Sequence, residues 1–120
     1  MSKSILIVDD SVSIRQLVSM SLKKAGFSVV EAENGKAAMQ KLDGTKFSLI
    51  ISDVNMPQMN GIEFLKAVKA DSRYQFTPVL MLTTESQESK KQEGKAAGAK
   101  AWLVKPFKED ILLKAVSRLA

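Results

Sequence analysis

The chain has 120 residues, 45% of them hydrophobic and 26% charged, so one self-folding globular domain is expected over residues 1–120. It contains no cysteine and no histidine, which excludes disulfides, thiolate or imidazole metal ligands, Ser/His/Asp catalysis and a phosphohistidine of its own. The net charge of +5 lies wholly in residues 89–120, where eight Lys/Arg face three Asp/Glu.

No apolar run is long enough to span a bilayer, and the N-terminus lacks the pattern of a signal peptide, so a cytoplasmic location without membrane association is expected. In chain order, Ile5-Leu6-Ile7-Val8 reads as a strand buried on both faces. Ile14, Leu17, Val18, Ser21, Leu22 and Ala25 follow with helical spacing, and Gly26 stands where a C-terminal cap belongs. Residues 27–32 mix Phe27, Val29 and Val30 with Ser28 and Glu31, which suits a strand at a sheet edge. Leu49-Ile50-Ile51 is the third strand, and Asn60 with Glu63 predicts a capping box before the apolar Phe64, Leu65 and Val68. Val79-Leu80-Met81-Leu82 is the fourth strand. The helix after it carries Gly94 and Gly98, each expected to weaken it by about 1 kcal/mol relative to alanine. Trp102-Leu103-Val104 is the fifth strand, and Ile111, Leu112, Ala115, Val116 and Leu119 mark the last amphipathic helix. Strand and helix alternate five times, which predicts an α/β, doubly wound parallel sheet with helices on both faces.

Ligands of such sheets gather beyond the carboxyl ends of the strands. There the sequence places Asp9 and Asp10, then Asp53, then Thr83 and Thr84, then Lys105 before Pro106. Each has an ordinary alternative: Asp9 and Asp10 as helix caps, Asp53 as a turn residue, Thr83 bonded to a loop, Lys105 solvated. Together they bring three carboxylates to one rim, where repulsion is relieved by protonation or a shared cation. Mg²⁺ suits oxygen ligands and keeps coordination sites that a phosphate can take.

Ile7-Val8-Asp9-Asp10-Ser11, Ser52-Asp53-Val54-Asn55-Met56-Pro57 with Asn60-Gly61, Thr83, and Val104-Lys105-Pro106-Phe107 make the sequence resemble the response-regulator receiver domains along its whole length. The resemblance implies a flavodoxin-like fold with strand order 2-1-3-4-5. It also implies that Asp53 accepts a phosphoryl group from a phosphohistidine of a histidine kinase. Asp10 would bind Mg²⁺ directly, Asp9 through a metal-bound water, Asp53 as a further carboxylate of the site, and Asn55 through its backbone carbonyl. Lys105 would pair with the phosphoryl oxygens and Thr83 would hydrogen-bond to one of them. Asn55 and Glu85 would flank the phosphoryl group, and both resemble chemotaxis regulators at these positions. Trp102 stands where the family more often has Tyr or Phe, either as a switch residue or as a static core indole.

An aspartate-nucleophile phosphatase is a competing class, but it needs a second Asp two residues after the nucleophile, where this chain has Asn55. A nucleotide-binding module needs a Gly-rich loop in place of Asp9-Asp10-Ser11. Receivers that act on DNA carry a further domain, and with Ala120 as the last residue no nucleic-acid partner is expected. The expectation is therefore a monomeric switch with Mg²⁺ as cofactor, not a turnover enzyme, serving a chemotaxis kinase and a protein target such as a flagellar switch. Its alternatives are a phosphorelay intermediate or a phosphate sink. Lys90, Lys91, Lys95, Lys100, Lys108, Lys114 and Arg118 form the candidate basic surface for that partner.

Overall fold

In the computed structural model, which describes residues 3–54, 56, 59–84, 88–105 and 107–120 (for 84 and 88–91 the backbone alone), strand and helix alternate throughout. The elements are β1 (Ser4–Val8), α1 (Val12–Lys24), β2 (Ser28–Ala32), α2 (Gly35–Leu42), β3 (Leu49–Asp53), α3 (Gly61–Ala70), β4 (Val79–Thr84), α4 (Glu88–Ala97), β5 (Ala101–Lys105) and α5 (Glu109–Leu119). All pairings are parallel and the strand order is β2-β1-β3-β4-β5, as the family resemblance implies. β2 lies at an edge, in keeping with its mixed composition. The chain reverses its direction of travel across the sheet between β1 and β3. The carboxyl ends of these two strands therefore border the crevice where such folds place their ligands.

Alternation along each strand divides the core into two layers. Leu6 and Val8 of β1, Ile50 of β3 and Val79 and Met81 of β4 pack with Ala38 and Leu42 of α2 and Ile62, Phe64, Leu65 and Val68 of α3. Ile5, Ile7, Leu49, Ile51, Leu80 and Leu82 turn the other way and pack with Val18 and Leu22 of α1 and Leu112 and Val116 of α5. Ala97 of α4 and Trp102 of β5 join the first layer. The inner strands are thus apolar on both sides.

Two expectations need correction. On α1, Leu17 is half exposed, and Ala25, which caps the helix, is exposed; Val18, Ser19, Ser21 and Leu22 are the buried residues. The helix carries apolar residues all round, with Val12 and Met20 also exposed, so periodicity alone does not choose the inward stripe. Gly98 is not an interior residue of α4. It stands beyond Ala97 with φ 108°, and the N–H groups of Gly98 and Ala99 donate to the carbonyls of Lys95 and Gly94. This Schellman arrangement ends the helix and favours glycine. Gly26, at φ 97°, ends α1 as expected.

Candidate functional site

The strands run one or two residues further than their apolar cores, so Asp53, Thr83 and Lys105 lie on the sheet itself, with Asp53 opposite Leu82 and Thr84 opposite Lys105. Asp9 follows β1 and is fully buried; its N–H donates to the Ala32 carbonyl (3.1 Å) and its Oδ1 accepts from the Ser11 N–H (2.8 Å). The cap of α1 is Ser11, whose Oγ accepts from the Ile14 N–H. The two aspartates are therefore not used as caps. Asp53 is 5% exposed, while Asp10 beside them is exposed. α3 begins with the predicted capping box between Asn60 and Glu63, and the Gly61 N–H donates to the Val54 carbonyl (2.8 Å). That bond closes the neck of the loop that follows Asp53.

One carboxylate oxygen from each of Asp9, Asp10 and Asp53 lies within 4.8 Å of the others. Lys105 reaches into the same cluster, its Nζ 2.8 Å from Asp9 Oδ2 and 3.3 Å from Asp53 Oδ2. The ammonium offsets part of the repulsion among three acidic groups, two of them buried. The all-oxygen donor set fits a hard dication such as Mg²⁺, and exposed Asp10 gives it a path in. Removing the Lys105 charge would leave the buried Asp9 carboxylate without its ion-pair partner, a costly change.

Thr83 is buried, and its Oγ1 has no hydrogen-bond partner among the described residues. Its side chain lies on the same face of the sheet as those of Met81 and Trp102, because Met81 pairs with Trp102 across β4 and β5 and side chains two apart share a face. Trp102 is partly buried, and its indole lies on Gly94 of α4. A Cβ added at Gly94 would overlap the ring at Cζ3 and stand 3.2 Å from Cε3 and 3.3 Å from Cη2. The glycine thus makes room for the indole. Asn55 and Glu85 lie outside the described residues.

Two residues at the rim carry no signal in the motif spacing. Arg15 of α1, mostly buried, donates from Nη1 to the Asp9 carbonyl (2.7 Å), and its Nε is 3.3 Å from Glu31 Oε1 of β2. The available hint was the placement of a cation near the start of a helix, where the macrodipole disfavours it.

The response regulator receiver domain family matches residues 5–117. Chemotaxis protein CheY1 of Helicobacter pylori is 38% identical over 110 residues, covering 90% of this chain and 89% of that protein. Chemotaxis protein CheY of Pseudomonas aeruginosa is 37% identical over 116 residues, 96% of this chain and 94% of that protein. The solved structure of chemotaxis response regulator CheY4 of Vibrio cholerae superposes with a TM-score of 0.94 at 54% identity, covering all of both chains. With the fold, the acidic rim and the matched length in agreement, the chain belongs to the response-regulator receiver family and, within it, to the CheY type.

Proposed function

We propose that this receiver, occupying residues 1–120, is a chemotaxis regulator that takes a phosphoryl group on Asp53 from the phosphohistidine of a CheA-type kinase and signals by protein contact. The observation that carries this reading is the meeting of Asp9, Asp10, Asp53 and Lys105 at one rim. Asp10, Asp9, Asp53 and the carbonyl of Asn55 would hold Mg²⁺. When bound, the ion supplies concentrated positive charge against the carboxylates and the phosphoryl oxygens.

The rest of the chemistry belongs to the chain. An Asp53 oxygen forms the new bond to phosphorus as the P–N bond of the donor breaks, and the electron pair leaves with the imidazole. A carboxylate nucleophile has no proton to lose, so no general base is needed, consistent with a chain that lacks histidine. Lys105, held beside Asp53, offsets charge on the phosphoryl oxygens. The Thr83 hydroxyl turns to one of them as donor, which would give that buried group a partner. Glu85 and Asn55 would flank the new group, as the family resemblance implies. On this reading the chain turns over its own phosphoryl group and no other substrate, in the cytoplasm and as a monomer.

The shift of Thr83 would open space on the face it shares with Trp102, which makes the indole the next element to respond. Trp102 is the only tryptophan, so intrinsic fluorescence reports on it directly. Adding Mg²⁺ is expected to change the emission, and adding beryllofluoride to change it again. Emission indifferent to both, with calorimetry showing that both bind, would make Trp102 a static core residue.

The partner surface is the span 89–120. It wraps the β5 edge of the sheet, because α4 and α5 pack on opposite faces. Lys95, Lys100, Lys108, Lys114 and Arg118 are exposed there, with apolar Val104 (48%) and Ile111 (43%) exposed among them. The side chains of Lys90 and Lys91 lie outside the described residues. Lys69 of α3 adds to this field: burial, and then the nearby Lys100 ammonium, hold its pKa below the ordinary lysine value. An apolar centre with a basic rim suits an acidic protein target. Association with the kinase or target is expected to slow several-fold between roughly 50 and 300 mM salt. The Lys95→Glu/Lys100→Glu pair should be slower and less salt-dependent; unchanged rates would assign recognition elsewhere.

A further inference from the structure

The acidic rim needs its charges close together and also needs them aimed. Asp53 is aimed by β3, in which it is the last residue. Asp9 and Asp10 lie past the end of β1, in a turn of three residues before α1, where the sheet offers less support. Besides the Ser11 cap and the Lys105 contact, four bonds hold the backbone of that turn. The Asp9 N–H donates to the Ala32 carbonyl, the Ser11 N–H donates to Asp9 Oδ1, and the Arg15 N–H donates to the Ser11 carbonyl. The fourth is the 2.7 Å bond from Arg15 Nη1 to the Asp9 carbonyl.

This last bond differs from the others because it grips the peptide that joins Asp9 to Asp10. The carbonyl of Asp9, the N–H of Asp10 and the Asp10 Cα belong to one rigid plane, so holding the carbonyl places the Asp10 Cα; with the Ser11 N–H held by Asp9 Oδ1 on its far side, the residue is gripped at both ends and its side chain is aimed. The guanidinium is in turn held by Glu31, the β2 residue opposite Ile7 of β1. The chain Glu31–Arg15–Asp9 carbonyl therefore ties the turn to the edge strand. A planar, forked donor makes both contacts at once, which a lysine ammonium on its flexible stem does less well.

We infer that Arg15 is a positioning residue for the divalent cation, oriented by Glu31 and acting through the Asp9–Asp10 peptide. The inference rests on the proposed Mg²⁺ site and extends it to two residues outside the carboxylate cluster. Outer groups that orient ligands typically contribute 10–100-fold to metal affinity. Simple electrostatics gives the opposite sign. Arg15 is a cation beside a cation site, so removing its charge without any loss of aim would tighten Mg²⁺ binding.

The two accounts separate in a calorimetric Mg²⁺ titration of the wild-type chain, Arg15→Gln, Arg15→Lys and Glu31→Gln, with thermal unfolding recorded for each. Positioning predicts weaker binding by about tenfold or more in Arg15→Gln, a smaller loss in Arg15→Lys although the charge is kept, and a smaller loss in Glu31→Gln. Variants that unfold at the wild-type temperature yet lose affinity support the inference. Unchanged or tighter binding by Arg15→Gln overturns it, and so does weakening that merely follows a fall in unfolding temperature across the three variants. The wild type and Asp10→Asn serve as controls on the site. If the wild type binds no Mg²⁺, or Asp10→Asn binds as well as it does, the cation reading itself fails and the role of Arg15 falls with it.

Discussion

Asp53→Asn is expected to reduce Mg²⁺-dependent labelling by acetyl phosphate to background, a loss on the order of 10³-fold or more, as for removal of other nucleophiles. The amide matches the carboxylate in shape, so the packing of a residue that is 5% exposed at the end of β3 is preserved. Lys105 keeps its 2.8 Å contact with Asp9 when the 3.3 Å contact with a charged Asp53 is lost. What disappears is the nucleophilic oxygen, since an amide is a poor nucleophile towards phosphorus. Circular dichroism should therefore match the wild type while labelling vanishes. Labelling that persists at the wild-type level would move the acceptor to Asp9 or Asp10 or out of the cluster altogether.

Gly61→Ala should lower stability by about 2 kcal/mol, or roughly 5–10 °C in the unfolding temperature of a chain this size. Helix propensity alone argues the reverse, because alanine inside a helix gains about 1 kcal/mol over glycine, although at the first residue of α3 the gain is smaller. Sterics outweigh it. The added methyl would overlap the Asp53 carbonyl oxygen and stand 2.8 Å from Val54 Cα and 2.9 Å from the Asp53 carbonyl carbon. These are backbone atoms of the strand end and cannot rotate away as a side chain can. Relief requires α3 to withdraw from β3, which stretches the bond from the Gly61 N–H to the Val54 carbonyl and tilts the peptide that carries Asp53. Labelling of Asp53 should slow together with the loss of stability. Unfolding at or above the wild-type temperature would show that the neck of this loop tolerates a side chain.

The carboxyl-end rule and a few residue types carried much of the site. Buried parallel strands read as unbroken apolar runs, so the polar residues just after each run mark the rim: Asp9, Thr83 and Lys105 follow their runs directly, and Asp53 stands one place beyond Ser52. The strand order did not follow from any run and came from the resemblance. What escaped the sequence was tertiary in origin. Arg15 is joined to Glu31 across sixteen positions by a fold that periodicity does not encode. Leu17 looks outward because the two crossover layers leave α1 one buried stripe, whereas its composition would support several. Gly98 reads as an interior residue because a glycine at a helix end and one inside a helix look alike until the residue that ends the helix is known.

The seat of Trp102 on Gly94 has a consequence for how this sequence can vary. Ring and helix occupy a single shared volume, so the residue tolerated at position 94 is set by the size of the residue at 102, and the reverse. A methyl at 94 is excluded while the indole lies inward, but it becomes admissible once a smaller ring stands at 102 or the indole swings out. Substitutions at the two positions are therefore expected to be coupled, with a side chain at 94 calling for a smaller ring at 102.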